Sequence, residues 1–159
     1  AREAAEWLSR IDLAYVGGGD TRALLRWFRE SGVGASLLAA ARRGVALAGV
    51  SAGAACWFEE AFSNAGGEGF RTLPGLGLLR GSCCPHFSDE PERQPAYADA
   101  IAAGRIGDGL AIDDGVAVFC DETGPLGYAS SRTGCAAYRL VGTPSGVGTL
   151  VLEAMRLGG

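Results

Sequence analysis

Ala48-Gly49-Val50-Ser51-Ala52-Gly53-Ala54 is the stretch on which the reading of this chain turns. Ahead of it, Gly44-Val45-Ala46-Leu47-Ala48 is short, apolar and partly β-branched, the pattern of a buried strand. Behind it, residues 52–60 carry alanines, a tryptophan and two glutamates, a composition that predicts a helix. Between the two lies Gly-x-Ser-x-Gly, which marks a strand-to-helix turn with a serine exposed at its corner. Side chains at Gly49 or Gly53 would crowd so tight a turn. The following helix N-terminus favours negative charge, and the backbone N–H of Ala52 is placed to serve an oxyanion.

The residues before this turn repeat its logic. Ile11-Asp12-Leu13-Ala14-Tyr15-Val16 reads as a second buried strand, and it runs into Gly17-Gly18-Gly19-Asp20-Thr21. Asp20 and Thr21 are suited to cap a helix over 21–31, where Leu24, Leu25, Trp27 and Phe28 recur at helical spacing and Gly32 closes. A further helix is expected over 35–43. Strand, glycine turn, helices, strand, serine turn and helix, in that order, predict an α/β fold with parallel strands. Ligands in such sheets bind beyond the carboxyl ends of the strands, where both glycine-rich turns fall.

Beyond Glu60 the sequence predicts a loop over 61–73, short strands over 76–79 and 81–84, and a helix from Pro91 to about Ala103. Strands follow over 110–112, 116–120, 126–129, 136–141 and 149–152. Turns such as Asp113-Asp114-Gly115 separate them, which implies antiparallel hairpins toward the C-terminus. The 159 residues, 48% hydrophobic and 20% charged, suit one globular domain. No apolar run reaches the roughly 18 residues needed to span a bilayer. The charged start, Ala1-Arg2-Glu3-Ala4, does not read as a signal peptide. A net charge of −4 without a basic stripe argues against nucleic acid as a partner. The five cysteines fit neither a disulfide framework nor a zinc site, so they read as buried reduced thiols of a cytoplasmic protein.

A serine nucleophile needs a base, and the base needs a third group to orient it. His86 is the only histidine, so any imidazole chemistry falls to it. Three successive glycines at a strand end offer backbone N–H groups to a reacting carbonyl, which suits Gly18 and Gly19 to an oxyanion hole. A phosphate-binding role lacks the Gly-x-Gly-x-x-Gly order. No metal or cofactor is expected.

Gly17-Gly18-Gly19-Asp20-Thr21, Gly49-Val50-Ser51-Ala52-Gly53-Ala54 with Cys56-Trp57-Phe58-Glu59, and Cys84-Pro85-His86-Phe87 with Glu90-Pro91-Glu92-Arg93 together resemble the peptidase E (aspartyl dipeptidase) family. The resemblance runs from about Ile11 to Val141. It implies a three-layer α/β sandwich with a largely parallel central sheet, the class I glutamine-amidotransferase-like (flavodoxin-like) arrangement, with antiparallel strands toward the C-terminus. The family's N-terminal strand-helix unit precedes the point where this sequence starts, so a truncated domain is expected. The implied activity is serine-dependent hydrolysis of dipeptides with N-terminal aspartate, with Ser51 as nucleophile, His86 as general base and Gly18, Gly19 and Ala52 as the oxyanion hole. Arg93 falls where the family has an arginine, suited to grip the aspartate side chain. Asp20 replaces the family's asparagine, where it would repel an acidic substrate or bind its α-amino group. The third triad position aligns with Asn64, with Glu59, Glu60, Asp89 and Glu90 as alternatives. Two other readings stay open: a cyanophycinase-like peptidase, and a non-catalytic binding domain that keeps the pocket. The implied partner is a small peptide substrate, with monomer and homodimer both admissible.

Overall fold

The computed structural model describes residues 2–67 and 69–155, and the chain divides into two units, residues 1–78 and 79–159. Among the described residues no helix is long and apolar enough to cross a membrane.

In the first unit, helix α1 (Arg2–Leu8) leads to β1 (Leu13–Val16), α2 (Thr21–Ser31), α3 (Val33–Ala41) and β2 (Ala46–Gly49). The Asp20 carboxylate accepts from the Ala23 N–H at 2.8 Å and starts α2, while Gly32, at φ 73, stops it. That left-handed residue is cheap only for glycine, and it lets the chain enter α3 at once. Leu25 and Phe28 from α2, and Leu37 and Ala40 from α3, enter the core. Trp27, which the spacing had grouped with them, is 53% exposed, because two helical steps from Leu25 rotate it by about 200°. Strands β1 and β2 pair parallel, from Leu13↔Ala46 to Val16↔Gly49. The chain therefore leaves both strands at the same end.

The helix predicted over 52–60 is corrected. Helix α4 spans only Ala52–Ala55, and β3 (Phe58–Ser63) follows, paired antiparallel with β4 (Arg71–Pro74) inside the expected loop. Backbone pairing decides this. The carbonyls of Cys56, Trp57, Phe58 and Glu59 accept from the N–H groups of Leu76, Leu78, Gly77 and Gly75. Phe58, Ala61 and Phe62 are buried from the strand. Packing and pairing outweigh the modest helix propensity of the segment.

In the second unit, β5 (Leu79–Pro85) is followed by α5 (Arg93–Ala102) and β6 (Gly109–Ile112), a crossover that makes β5 and β6 parallel. Strands β7 (Val116–Asp121) and β8 (Gly124–Ser130) form a separate hairpin. Strands β9 (Ala137–Thr143) and β10 (Gly146–Val151) pair with each other antiparallel, and β9 pairs antiparallel with β6. The order in this unit is β10-β9-β6-β5. Ser82 and Tyr97 join β5 to α5 through a hydroxyl pair at 2.6 Å, and the Ser82 hydroxyl also donates to the Gly107 carbonyl. The protein is α/β with mixed rather than largely parallel pairing. The antiparallel character expected at the C-terminus is present, and it begins earlier, at β3 and β4.

Candidate active site

Parallel pairing of Val16 with Gly49 delivers two turns to one place. The residues after β1 are Gly17-Gly18-Gly19, and those after β2 are Val50 and Ser51. A Cβ on Gly18 would stand 3.2 Å from the Ser51 Cβ and 3.7 Å from its Oγ, so the glycine backbone faces the serine directly. The elbow itself is tight. A Cβ on Gly49 would overlap the Gly53 carbonyl, and one on Gly53 would overlap the Val16 carbonyl. The Val50 N–H is tied to the Val16 carbonyl at 3.1 Å, and the Ser51 carbonyl accepts from Ala54 and Ala55. Ser51 is thereby held at φ 55, ψ −117, a conformation that costs a non-glycine residue about 1–3 kcal/mol. Ala52 opens α4, at a position whose N–H has no partner within the helix.

The second unit repeats the device. Pro85 pairs with Ile112 across parallel strands, so His86 and the Asp113-Asp114 turn emerge side by side. His86 Nδ1 lies 2.5 Å from Asp114 Oδ1. A carboxylate can only accept, so Nδ1 carries a proton, which in the neutral imidazole leaves the lone pair on Nε2. His86 is at φ 58, and among the described residues only Ser51 and His86 are non-glycines with positive φ. Asp113, next door, is buried and does a different job. Its carboxylate accepts from the N–H groups of Ser88 (3.1 Å) and Ala136 (3.0 Å) and from the Tyr138 hydroxyl (3.2 Å). Burial, and then the Asp113 charge, push the Tyr138 phenol above its ordinary range.

Asp114 was read in the sequence only as part of a turn. Its link to His86 spans 28 residues and depends on the β5–β6 register, which no local pattern displays. Asn64 follows β3 in the first unit, exposed, with its carbonyl accepting from Gly67. Glu59 is exposed on β3. Asp89 accepts from the Asp114 N–H, and Glu90 binds Arg93. Asp20 uses one carboxylate oxygen to cap α2. Arg93, the first residue of α5, is 2% exposed, with Nε and Nη2 donating to Glu90 Oε2 at 3.1 and 2.7 Å.

Two thiols near these motifs are chemically quiet. Burial raises Cys56 to about 12, and it raises Cys84 to about 12 against the pull of the Arg93 guanidinium. A thiol that does not ionise is a poor nucleophile. Among the described residues no cluster of three or more His, Cys, Asp or Glu side chains is arranged to hold a metal ion.

A strained serine facing a glycine turn, and a histidine bound to a carboxylate, are the parts of acyl-transfer chemistry. Comparison with known proteins points the same way. The sequence matches peptidase family S51 over residues 1–125. It is 38% identical over 156 residues to a Bacillus subtilis (strain 168) protein described as uncharacterized peptidase YgaJ, covering 98% of this chain and 67% of that protein. The chain belongs to peptidase family S51, which includes peptidase E.

Proposed function

We propose that the protein is a serine peptidase that hydrolyses dipeptides with an N-terminal aspartate. The observation that carries the reading is that, among the described non-glycine residues, strain falls on Ser51 and His86 alone. Strain persists where function needs a side chain presented in one way. In the proposed reaction Ser51 Oγ attacks the peptide carbonyl while His86 Nε2 takes its proton. The developing oxyanion is met by backbone N–H groups of Gly18, Gly19 and Ala52. His86 then passes the proton to the leaving amine, the C–N bond breaks, and an ester to Ser51 remains. Water, deprotonated by the same imidazole, releases the acid and restores the serine.

We assign the third role to Asp114 rather than Asn64. An anion at 2.5 Å from Nδ1 stabilises the imidazolium as it forms, which an amide does less well. Arg93 supplies the cation for the aspartate side chain, and the uncapped oxygen of Asp20 suits the α-amino group. The class I glutamine-amidotransferase-like fold goes with this reading. All five cysteines are free thiols, which supports work in a reducing compartment such as the cytoplasm.

The test is hydrolysis of Asp-Leu beside Glu-Leu and Leu-Leu. Asp-Leu alone should be cleaved, and Ser51→Ala should abolish it. Asp114→Asn should lower kcat by about 100-fold or more, while Asn64→Ala should stay within about twofold, as expected of a surface substitution. Equal losses in both variants would return the third role to dispute. Cleavage of Leu-Leu at the same rate would remove the aspartate preference.

A further inference from the structure

His86 and Asp114 are 32% and 44% exposed at the side chain. A bond in such a setting competes with water and keeps one geometry only if the backbone beneath it is held. The structure holds that backbone from both strands. The Phe87 N–H donates to the Ile112 carbonyl at 3.1 Å and the Ser88 N–H to Asp113 Oδ1 at 3.1 Å. In the opposite direction, the Asp114 N–H donates to Asp89 Oδ2 at 2.9 Å. Asp89, three residues past the histidine, therefore grips the residue that orients the histidine.

Asp89 is itself fixed. Arg132 Nη1 donates to Asp89 Oδ1 at 2.9 Å and lies 3.4 Å from the Asp114 carbonyl oxygen. Arg132 reaches this place because Gly115 makes room. Gly115 sits at φ 80, and a Cβ there would come 2.7 Å from the Arg132 Cδ. The Ser131 N–H and hydroxyl both donate to the Gly115 carbonyl, at 2.9 and 3.0 Å, which lays the Arg132 loop on the 113–115 turn.

We propose that Asp89 and Arg132 are positioning residues for the His86–Asp114 pair, Asp89 fixing the backbone of Asp114 and Arg132 fixing Asp89. Neither touches reacting atoms. The proposal rests on the reading of His86 as general base. The Asp114 N–H, and then Arg132, hold the Asp89 carboxyl below the usual carboxylate range, which keeps it an anionic acceptor at neutral pH. An exposed pair of this kind adds little to stability, so its arrangement around the histidine's partner is the feature to explain.

The experiment uses the full chain and the variants Asp89→Ala, Asp89→Asn and Arg132→Gln. One readout is the downfield resonance of the Nδ1-bound proton, unambiguous because the chain has a single histidine. The other is the rate at which a fluorophosphonate acylates Ser51. Asp89→Ala should lose the resonance to exchange and slow acylation by about 10–100-fold, the range found for groups that orient metal-bound histidines. Asp89→Asn keeps an acceptor for the Asp114 N–H and should stay within about threefold of the parent, with the resonance visible. Arg132→Gln should fall between them. A folded Asp89→Ala with the parental resonance and rate overturns the proposal. If that variant does not fold, Arg132→Gln decides, and an unchanged resonance and rate there overturns it equally. A parent chain that never labels, but whose imidazole resonance is still lost in Asp89→Ala, supports the positioning role and refutes the serine reading.

Discussion

At Ser51 the sequence motif and the geometry agree for one reason: a hydroxyl can be presented at φ 55 only if its neighbours have no side chains in the way. Gly53→Ala is the sharp test. Its Cβ would run into the Val16 carbonyl, a backbone atom held in the β1–β2 pair, which cannot give as a flexible side chain would. We expect a loss of about 1–3 kcal/mol in denaturant titration, with Ser51 labelling abolished. Gly17→Ala, whose Cβ would meet nothing within 4 Å, should change stability by less than about 0.5 kcal/mol. Arg93 yields a second prediction. The guanidinium was expected to await a substrate carboxylate, but it is buried and bonded twice to Glu90 Oε2. In the proposed function, an incoming aspartate would have to compete with that carboxylate. Glu90→Gln keeps a hydrogen-bond acceptor and removes the competing charge, so KM for Asp-Leu should fall about three- to tenfold with kcat little changed. A rise in KM would mean that Glu90 holds Arg93 in its working position.

Elements that were legible in the sequence are those whose cause is local. β1 and β2 are short apolar runs stopped by glycine, although neither is buried as its composition suggested, Leu13 and Tyr15 being 56% and 64% exposed, and α2 has Asp20 and Gly32 as its two ends. What was not legible is decided by partners far along the chain. Residues 56–59 become strand rather than helix because residues 75–78 supply their hydrogen bonds. Asp114 becomes the partner of His86 because Pro85 aligns with Ile112, while its own neighbourhood, Asp-Asp-Gly, reads only as a turn. That turn carries a pH prediction. The bond from the Asp114 N–H, followed by the Arg132 contacts, places the folded Asp89 pKa below the unfolded value of about 3.9. Its contribution to the turn is complete above that pH and fades as pH falls through the lowered folded value. The Asp114 amide shift, followed by NMR on acidification, should therefore titrate with a midpoint under about 3.9. A midpoint at or above that value would show that the Asp89 bond to the turn is not made in solution.

Across the whole molecule the cysteines report on both units and on the chemistry at once. Cys56 lies in the first unit, and Cys83 and Cys84 lie in the second; all three are fully buried free thiols. Cys120 and Cys135, also in the second, are half-buried, short of the full burial their sequence suggested. Burial raises Cys120 above its ordinary range, and the Asp121 charge adds to the shift. It raises Cys56 and Cys84 to about 12. Because the thiolate is the reactive form, an aromatic disulfide reagent at pH 8 should find Cys56, Cys83 and Cys84 silent in the native protein. Cys120 and Cys135 should react slowly, and all five should react in denaturant. Intermediate denaturant then reads each unit by itself, Cys56 for the first and the Cys83–Cys84 pair for the second. The same titration separates two kinds of hydrolase. If Ser51 is the nucleophile, protein fully modified at Cys120 and Cys135 keeps its cleavage of Asp-Leu, and a fluorophosphonate still removes it. Prompt reaction at Cys84, two residues before His86, with loss of activity in proportion, would instead make that thiol the nucleophile and require a core far more open than the one its burial describes.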